Sequence, residues 1–420
     1  MKKLQVHYRG WGESWWLGTL ADDGQQLLFE YSATALEEGL ELSPHLLRLR
    51  PEAYGPFPAF QQRLPGLIAD ALPDGWGLRV MDRLLRKQGV DVARLSPLDR
   101  LCFIGERAMG ALAFEPAMRE DWDARDRTLA ILADEARAHA GDAEPAALRD
   151  LALLGGSPHG ARPKVLVYLE RQAAGTACAS LTAPPPKVEV KPAPALEPWI
   201  VKFPAAGEHA EVCALEALYA QLARRCGLEV PRTRHFDLGR GLAAFGALRF
   251  DREGGERVPM HSLAGLLHAD FRLPGSVDAT TFLRATRMIT RDEREVRKAF
   301  ERVVFNVILH NRDDHARNIS YRLGRERHWV LAPAYDLTFA AGAGGEHAMD
   351  VCGEGRDVGS AHLMRLAQEG AVPAEFAAET IDRISEVAGT LPAEARNWPI
   401  RKATVRTLLR TIEVTQRLVS

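Results

Sequence analysis

The sequence predicts an α+β protein: a mixed, strand-rich N-terminal part followed by a mainly helical C-terminal part. Short apolar runs separated by turns open the chain. Helix-period patterns join them from about residue 58, and beyond Met260 helical periodicity prevails, broken by a single hairpin pattern. With 420 residues, 46% hydrophobic and 26% charged, the chain is long enough for two or three domains with cores of their own.

The first strand-like runs are "LQVHYRG", "WWLGTLADDG" and "QQLLFEYS", with Asp23-Gly24 as the hairpin signal between the last two. Helical patterns follow, including "WGLRVMDRLLRKQG", which Gly89 closes where a helix C-terminus favours glycine. "ALPDGWG", Ala71 to Gly77, reads as a structural turn around its Pro-Asp-Gly core. Residues 117–150, rich in Ala, Asp, Glu and Arg, read as exposed helix. A glycine-bearing loop then runs into a β-branched strand, Val165 to Leu169. The stretch "TAPPPKVEVKPAPALEP", Thr182 to Pro198, reads as an exposed loop inside a domain, because its prolines cannot pair in a central sheet. The strand "WIVKF", Trp199 to Phe203, a helix ending at Gly227 and an apolar strand, Leu242 to Phe250, complete this part. In the helical remainder, "NISYRLGRERHWVLAPAYDL" is a hairpin with its turn near Gly324. No internal repeat is visible.

The formal net charge of −2 gives no basic nucleic-acid footprint, and neither a helix-turn-helix nor a basic cluster with interleaved aromatics is found. Five scattered cysteines without a C-x-x-C argue against structural zinc and a disulfide framework and fit a reducing compartment. The start has two lysines but no apolar signal core, and no run approaches the ~20 residues of a membrane helix. A soluble cytoplasmic protein is the expectation.

The densest chemistry lies in "HNRDDHARN", His310 to Asn318, directly after the apolar run Val303 to Leu309. Asp313 and Asn318 are five apart, and Asp336 follows the hairpin. Phosphoryl transfer from a nucleotide uses that order: an Asp to accept the hydroxyl proton, an Asn and a second Asp to hold magnesium against the phosphates. Upstream, Lys202 sits in the apolar strand "WIVKFP", where an ammonium needs a partner. The following helix offers Glu211 and Glu216, and periodicity does not choose between them. Before it, "GGSPHGARPK", Gly155 to Lys164, has glycines that let backbone amides face an anion, and a lysine. It matches neither common phosphate-loop spacing. Each feature alone is weak; the ordered series is what carries the signal.

The series resembles the HipA family of bacterial serine/threonine protein kinases, toxins of type II toxin–antitoxin systems. The likeness spans nearly the whole chain. It runs through "LPDGWG", and its most specific pieces are S-x-x-G-A-x-x-K (Ser157 to Lys164), "VKFP", "RFDR" (Arg249 to Arg252), "NRDDHARN" and "PAYD". The resemblance implies a bilobal protein-kinase-like fold: an N-terminal subdomain over 1–115, a region with glycine loop, strand lysine and hinge over 116–255, and a helical lobe over 256–420. It implies Asp313 as catalytic base, with Asn318 and Asp336 holding Mg²⁺. Nucleotide contacts would come from His159, Gly160, Ala161, Arg162, Pro163, Lys164 and Lys202. The same set continues with Glu216, which the resemblance favours over Glu211, and with His315, Ala316, Arg317, Asn318, Tyr335 and Asp336. Leu248, Arg249 and Phe250 would form the hinge that receives the adenine of ATP through backbone groups. Ser157 takes the place of the serine whose autophosphorylation ejects the loop, although Pro158 and Pro163 should stiffen it here. The resemblance further implies a HipB-like helix-turn-helix antitoxin as partner, DNA contact only through it, and a protein substrate, an aminoacyl-tRNA synthetase in some members. Asp314 receives no role.

Two other readings compete. A metal-dependent phosphohydrolase could use Asp313, Asp314 and His315, yet it leaves Lys202 and the glycine loop unexplained. A kinase fold serving only as a corepressor would have no reason to keep Lys202, Asp313, Asn318 and Asp336 together.

Overall fold

The computed structural model describes residues 1–118, 127–138, 145–155, 158–171, 178–179 and 196–419. The chain divides into two compact units, Met1–Cys213 with Arg232–Met260, and Ala214–Pro231 with His261–Ser420.

The first unit opens with β1 (Lys2–Tyr8), β2 (Trp15–Asp22) and β3 (Leu27–Tyr31). In β1, Leu4, Val6 and Tyr8 are buried while Lys3 and Gln5 face solvent, the period-two pattern of a sheet with one covered face. The β2–β3 hairpin turns at Asp23 and Gly24, the latter at φ 94°. α1 (Ala33–Glu38), β4 (Ala53–Tyr54), α2 (Gly66–Ala69), α3 (Gly75–Lys87), α4 (Pro97–Ile104) and β5 (Leu112–Glu115) follow. The strands form one five-stranded sheet ordered β4-β3-β2-β1-β5. α4 starts on a reciprocal capping box between Ser96 and Asp99.

Next come β6 (Arg127–Thr128), α5 (Leu129–Ala138), α6 (Pro145–Leu154), β7 (Lys164–Glu170), β8 (Cys178–Ala179) and β9 (Leu196–Lys202). α7 (Glu211–Arg225) carries the chain into the second unit after Cys213. β10 (Thr233–Gly239) and β11 (Leu242–Leu248) complete a four-stranded sheet ordered β10-β11-β9-β7. A short ladder, β12 (Arg252–Glu253) with β13 (Glu256–Arg257), closes the unit.

Two expectations need correction here. Where 117–150 is described, its helices are not wholly exposed but bury one face: Leu129, Leu132, Ala133 and Ala136 on α5, and Ala147 and Leu148 on α6. Likewise Pro198 lies inside β9, an inner strand, opposite Tyr168 of β7. Its carbonyl accepts from Arg249 N at 2.9 Å, so its nitrogen also faces the β11 side, where β11 has ended at Leu248 and no donor is required. Residues 182–195 of the proline-rich stretch lie outside the described residues.

β14 (Met260–Ser262) leads into the second unit. There α8 (Leu263–Leu267), α9 (Ala279–Thr290) and α10 (Glu293–Ile308) precede the hairpin of β15 (Ser320–Leu323) and β16 (Trp329–Leu331). Gly324 N donates to His328 O at 2.9 Å in its turn. α11 (Ser360–Glu369), α12 (Ala374–Gly389), α13 (Leu391–Glu394) and α14 (Lys402–Val419) follow. α10 is the core helix. Asp292 caps it, Glu293 and Glu295 complement its N-terminal dipole, and Val296, Phe300, Val303, Val304 and Val307 are buried. Among the described residues no helix is long and apolar enough to cross a membrane.

Candidate active site

The candidate residues fall in both units. Those of the glycine loop, the strand lysines and the hinge belong to the first; Glu216 and the residues from Asp313 to Asp336 belong to the second.

In the first unit the antiparallel register sets Lys164 of β7 directly opposite Lys202 of β9. Cross-strand partners share a face, so two ammonium-bearing side chains emerge side by side, and both residues are buried. Lys164 Nζ donates to His159 O, and Lys202 Nζ lies 5.7 Å from the centroid of the Phe245 ring. His159, Gly160 and Ala161 bond to Leu72, Asp74, Trp76 and Arg79. Arg162 pairs with Glu208 at 3.1 Å, and Pro163 O accepts from Phe203 N at 2.9 Å. Ser157, the expected modification site, lies outside the described residues.

At the hinge segment, Leu248 N donates to Arg232 O at 2.8 Å and Arg249 N to Pro198 O. Neither amide is open to an adenine while those bonds last, which leaves carbonyls and the Phe250 backbone. The Arg249 side chain is turned away from such work: it makes a two-pronged pair with Asp251 at 2.9 and 2.8 Å. Asp251 also accepts from Arg252 at 2.7 Å and from Gly110 N at 3.0 Å. Burial pushes its carboxyl up, but Arg249 and Arg252 together outweigh this and hold it well below the usual carboxylate range. "RFDR" is therefore a buried ion network tying the end of β11 to the Gly110 turn.

In the second unit α10 ends at Ile308, and His310 turns the chain at φ 55°. Tyr219 OH of α7 donates to Leu309 O at 2.7 Å and pins that corner. The two neighbouring aspartates then part company. The Asp313 side chain is 64% exposed, with His315 Nε2 at 3.6 Å. Asp314 is buried and accepts from His347 Nδ1 at 2.8 Å, Ala348 N at 2.8 Å and Met349 N at 3.3 Å. Sequence reasoning gave Asp314 no role and did not single out His347. Together they fasten the loop from beneath, and nothing in local spacing connects positions 33 apart.

Asn318 Nδ2 donates to Asp313 O at 2.8 Å. A carbonyl only accepts, so the amide nitrogen faces the loop and the amide oxygen is the atom of this side chain able to face a cation. His315 and Arg317 flank the Phe271 ring, at 5.2 Å between ring centroids and 4.7 Å from the guanidinium carbon; Ala316 is buried between them in sequence. Tyr335 OH donates to Arg317 O at 2.9 Å and accepts from Ser320 Oγ at 2.7 Å, joining the far side of the hairpin to the loop. Asp336 follows in the left-handed region at φ 55°, a conformation a non-glycine residue holds only where its surroundings enforce it. Glu211 and Glu216 are both buried, so burial does not separate them either.

One amide oxygen and one carboxylate, both hard donors, suit Mg²⁺, which takes few protein ligands and fills its octahedron with phosphate and water oxygens. Among the described residues no group of three or more His, Cys, Asp or Glu is arranged to hold a metal alone. Both Asp314 oxygens are engaged by the 347–349 segment, which removes a ligand from the phosphohydrolase scheme.

Comparison with known proteins agrees with the motifs. The family model described as the HipA N-terminal domain matches residues 9–115, and that described as the HipA-like C-terminal domain matches 156–391. No curated protein matches the sequence. Among solved structures, the chain is similar to HipA of the Shewanella oneidensis MR-1 toxin–antitoxin system, solved with HipB and its operator DNA. That likeness has a TM-score of 0.69 at 17% identity and covers 98% of this chain and 95% of that one. The Helicobacter pylori proinflammatory kinase CtkA gives a TM-score of 0.38 at 12% identity, covering 53% of this chain and 88% of that one. The chain thus shares the fold of the solved HipA, with the mixed α+β make-up expected from the sequence, and it belongs to the HipA family.

Proposed function

We propose that this chain is an ATP- and Mg²⁺-dependent serine/threonine protein kinase of the HipA toxin type. The observation that carries the reading is the internal order of the Asp313–Asn318 loop: an exposed carboxylate, and an amide whose nitrogen is tied to the carbonyl of that same residue. Mg-ATP supplies the transferable phosphoryl group and the cation that neutralises its charge. Asp313 accepts the proton of the attacking hydroxyl, for which its exposure suits a protein substrate. Asn318 offers its amide oxygen and Asp336 its carboxylate to the metal. Lys164 and Lys202 present positive charge to the phosphates, with Glu216 as the carboxylate partner of the kinase pattern. The loop His159 to Pro163 covers the nucleotide, and Leu248 to Phe250 receive the adenine through backbone groups. His315, Ala316, Arg317 and Tyr335 complete the contacts.

We assign 1–115, 116–255 and 256–420 to the N-terminal subdomain, the loop-and-hinge region and the helical lobe. A HipB-like antitoxin is the proposed partner, DNA being reached through it, and the substrate is a cellular protein, an aminoacyl-tRNA synthetase being one class. Ser157 is the proposed autophosphorylation site. Phosphopeptide mapping after induced expression, wild type against Asp313→Ala, tests the reading. Phosphorylated peptides dependent on Asp313 are expected; identical maps would overturn it.

A further inference from the structure

The turn Ala71–Gly77 has no place in the chemistry above, yet together with Arg79 just beyond it the turn meets the glycine loop at four points. His159 Nε2 donates to Leu72 O at 2.8 Å, the acceptor being a carbonyl, and Arg79 donates to Ala161 O at 3.3 Å. Between these, Gly160 uses both of its backbone groups: its N–H donates to the Asp74 carboxylate, and its carbonyl accepts from Trp76 N at 3.1 Å.

Asp74 is the N-cap of α3 and makes no side-chain cap bond to that helix. An N-cap aspartate ordinarily accepts from an amide in the first turn of its own helix. Here the carboxylate accepts from the loop instead, and the loop's carbonyl satisfies one of the orphan amides of the helix. Helix and loop cap each other across 86 residues. Two glycines permit the approach. A Cβ on Gly75, which sits at φ 46°, would lie 2.6 Å from Gly160 O, and one on Gly77 would lie 2.5 Å from Gly155 O. Neither glycine favours a helix, so their presence in the first turn of α3 answers to the loop rather than to α3.

We propose that Asp74 is a positioning residue for the glycine loop. With the first turn of α3 it forms a clasp that holds His159–Arg162 in the nucleotide-receiving conformation, and the loop leaves only when the clasp opens. This rests on the kinase reading above, and it couples the two elements in both directions. Nucleotide that orders the loop protects the first turn of α3, and loss of the cap frees the loop.

Hydrogen exchange followed by mass spectrometry, on full-length wild type, Asp74→Ala and Asp74→Asn, tests the clasp without nucleotide. Titration of each protein with Mg-ATP tests its consequence. Loss of a charge-assisted bond corresponds to roughly 10- to 100-fold faster exchange in peptides spanning His159–Arg162 and the first turn of α3. The Mg-ATP dissociation constant should rise by up to the same factor, as the competent fraction falls. Asp74→Asn keeps an acceptor oxygen and falls between; it also serves if the alanine variant does not fold. Unchanged exchange in both variants overturns the clasp, whatever the nucleotide does. Faster exchange with wild-type ATP affinity overturns the positioning role. Wild type that binds no Mg-ATP overturns the kinase reading itself, and is seen without any variant.

Discussion

Asp313 and Asp314 are the same residue in adjacent positions, and their environments predict opposite behaviour. Asp314→Ala removes an acceptor from His347 Nδ1 and Ala348 N, both at 2.8 Å, and from Met349 N at 3.3 Å. Bonds to a carboxylate contribute ~1.5–3 kcal/mol each, and stranding the partners of a buried charge costs ~3–5 kcal/mol. The two short bonds alone reach that range, so we expect a loss of about 3–5 kcal/mol, or roughly 6–20 °C in Tm for a unit of this size. Asp313, 64% exposed and with His315 only at 3.6 Å, has little of this to lose. Asp313→Asn should change stability by less than ~0.5 kcal/mol. It should nevertheless lower phosphoryl transfer by on the order of 10²–10⁴. Thermal unfolding and a transfer assay on both variants provide the two axes. A strongly destabilised Asp313→Asn, or an Asp314→Ala with wild-type Tm, would refute the assignment of one carboxylate to chemistry and the other to structure.

Acid should loosen the same loop through His310. Burial, then the positive charges of Arg312 and His347, push its imidazole down to about 4, below the ~6.5 of an unfolded chain. The unfolded state therefore takes up the proton first, so this contribution is present above pH ~6.5 and is lost as pH falls toward 4. Asparagine tolerates the left-handed backbone at this position, so the fall in Tm between pH 7 and pH 5 should shrink in His310→Asn; an undiminished fall would exclude His310 as its source. Tyr335→Phe removes the hydroxyl shared by Arg317 O and Ser320, and should cost about 1–2 kcal/mol with weaker Mg-ATP binding; a change in neither would show that the hydroxyl does not brace the loop.

What the sequence makes legible is whatever repeats at a fixed short period. β1 and β3 alternate buried and exposed residues, and α3 and α7 are each followed by a glycine in the left-handed region, Gly89 and Gly227. α5 was readable in principle: Leu129, Leu132, Ala133 and Ala136 follow the helical spacing, but the surrounding charge and alanine composition hid the stripe. Pro198 misled because the rule against proline in inner strands assumes a partner on both sides, and β11 stops one residue short. At the site, motif letters named candidates but not their supports. Nothing local distinguishes Asp313 from Asp314, since His347 lies 33 residues on, and nothing in "LPDGWG" announces Gly160, 86 residues from Asp74. These pairings exist only once the chain is folded.

In the proposed kinase, Lys202, Asp336 and the loop of Asp313 would serve one nucleotide. Calorimetric titration of Mg-ATP into wild type, Lys202→Met and Asp336→Asn tests it most directly. Wild type should bind one equivalent in a magnesium-dependent manner. Each variant should lose a charge-assisted contact of ~1.5–3 kcal/mol, roughly 10- to 100-fold in affinity. Affinity unaltered in either variant, or binding indifferent to magnesium, would mean that these residues do not share a nucleotide.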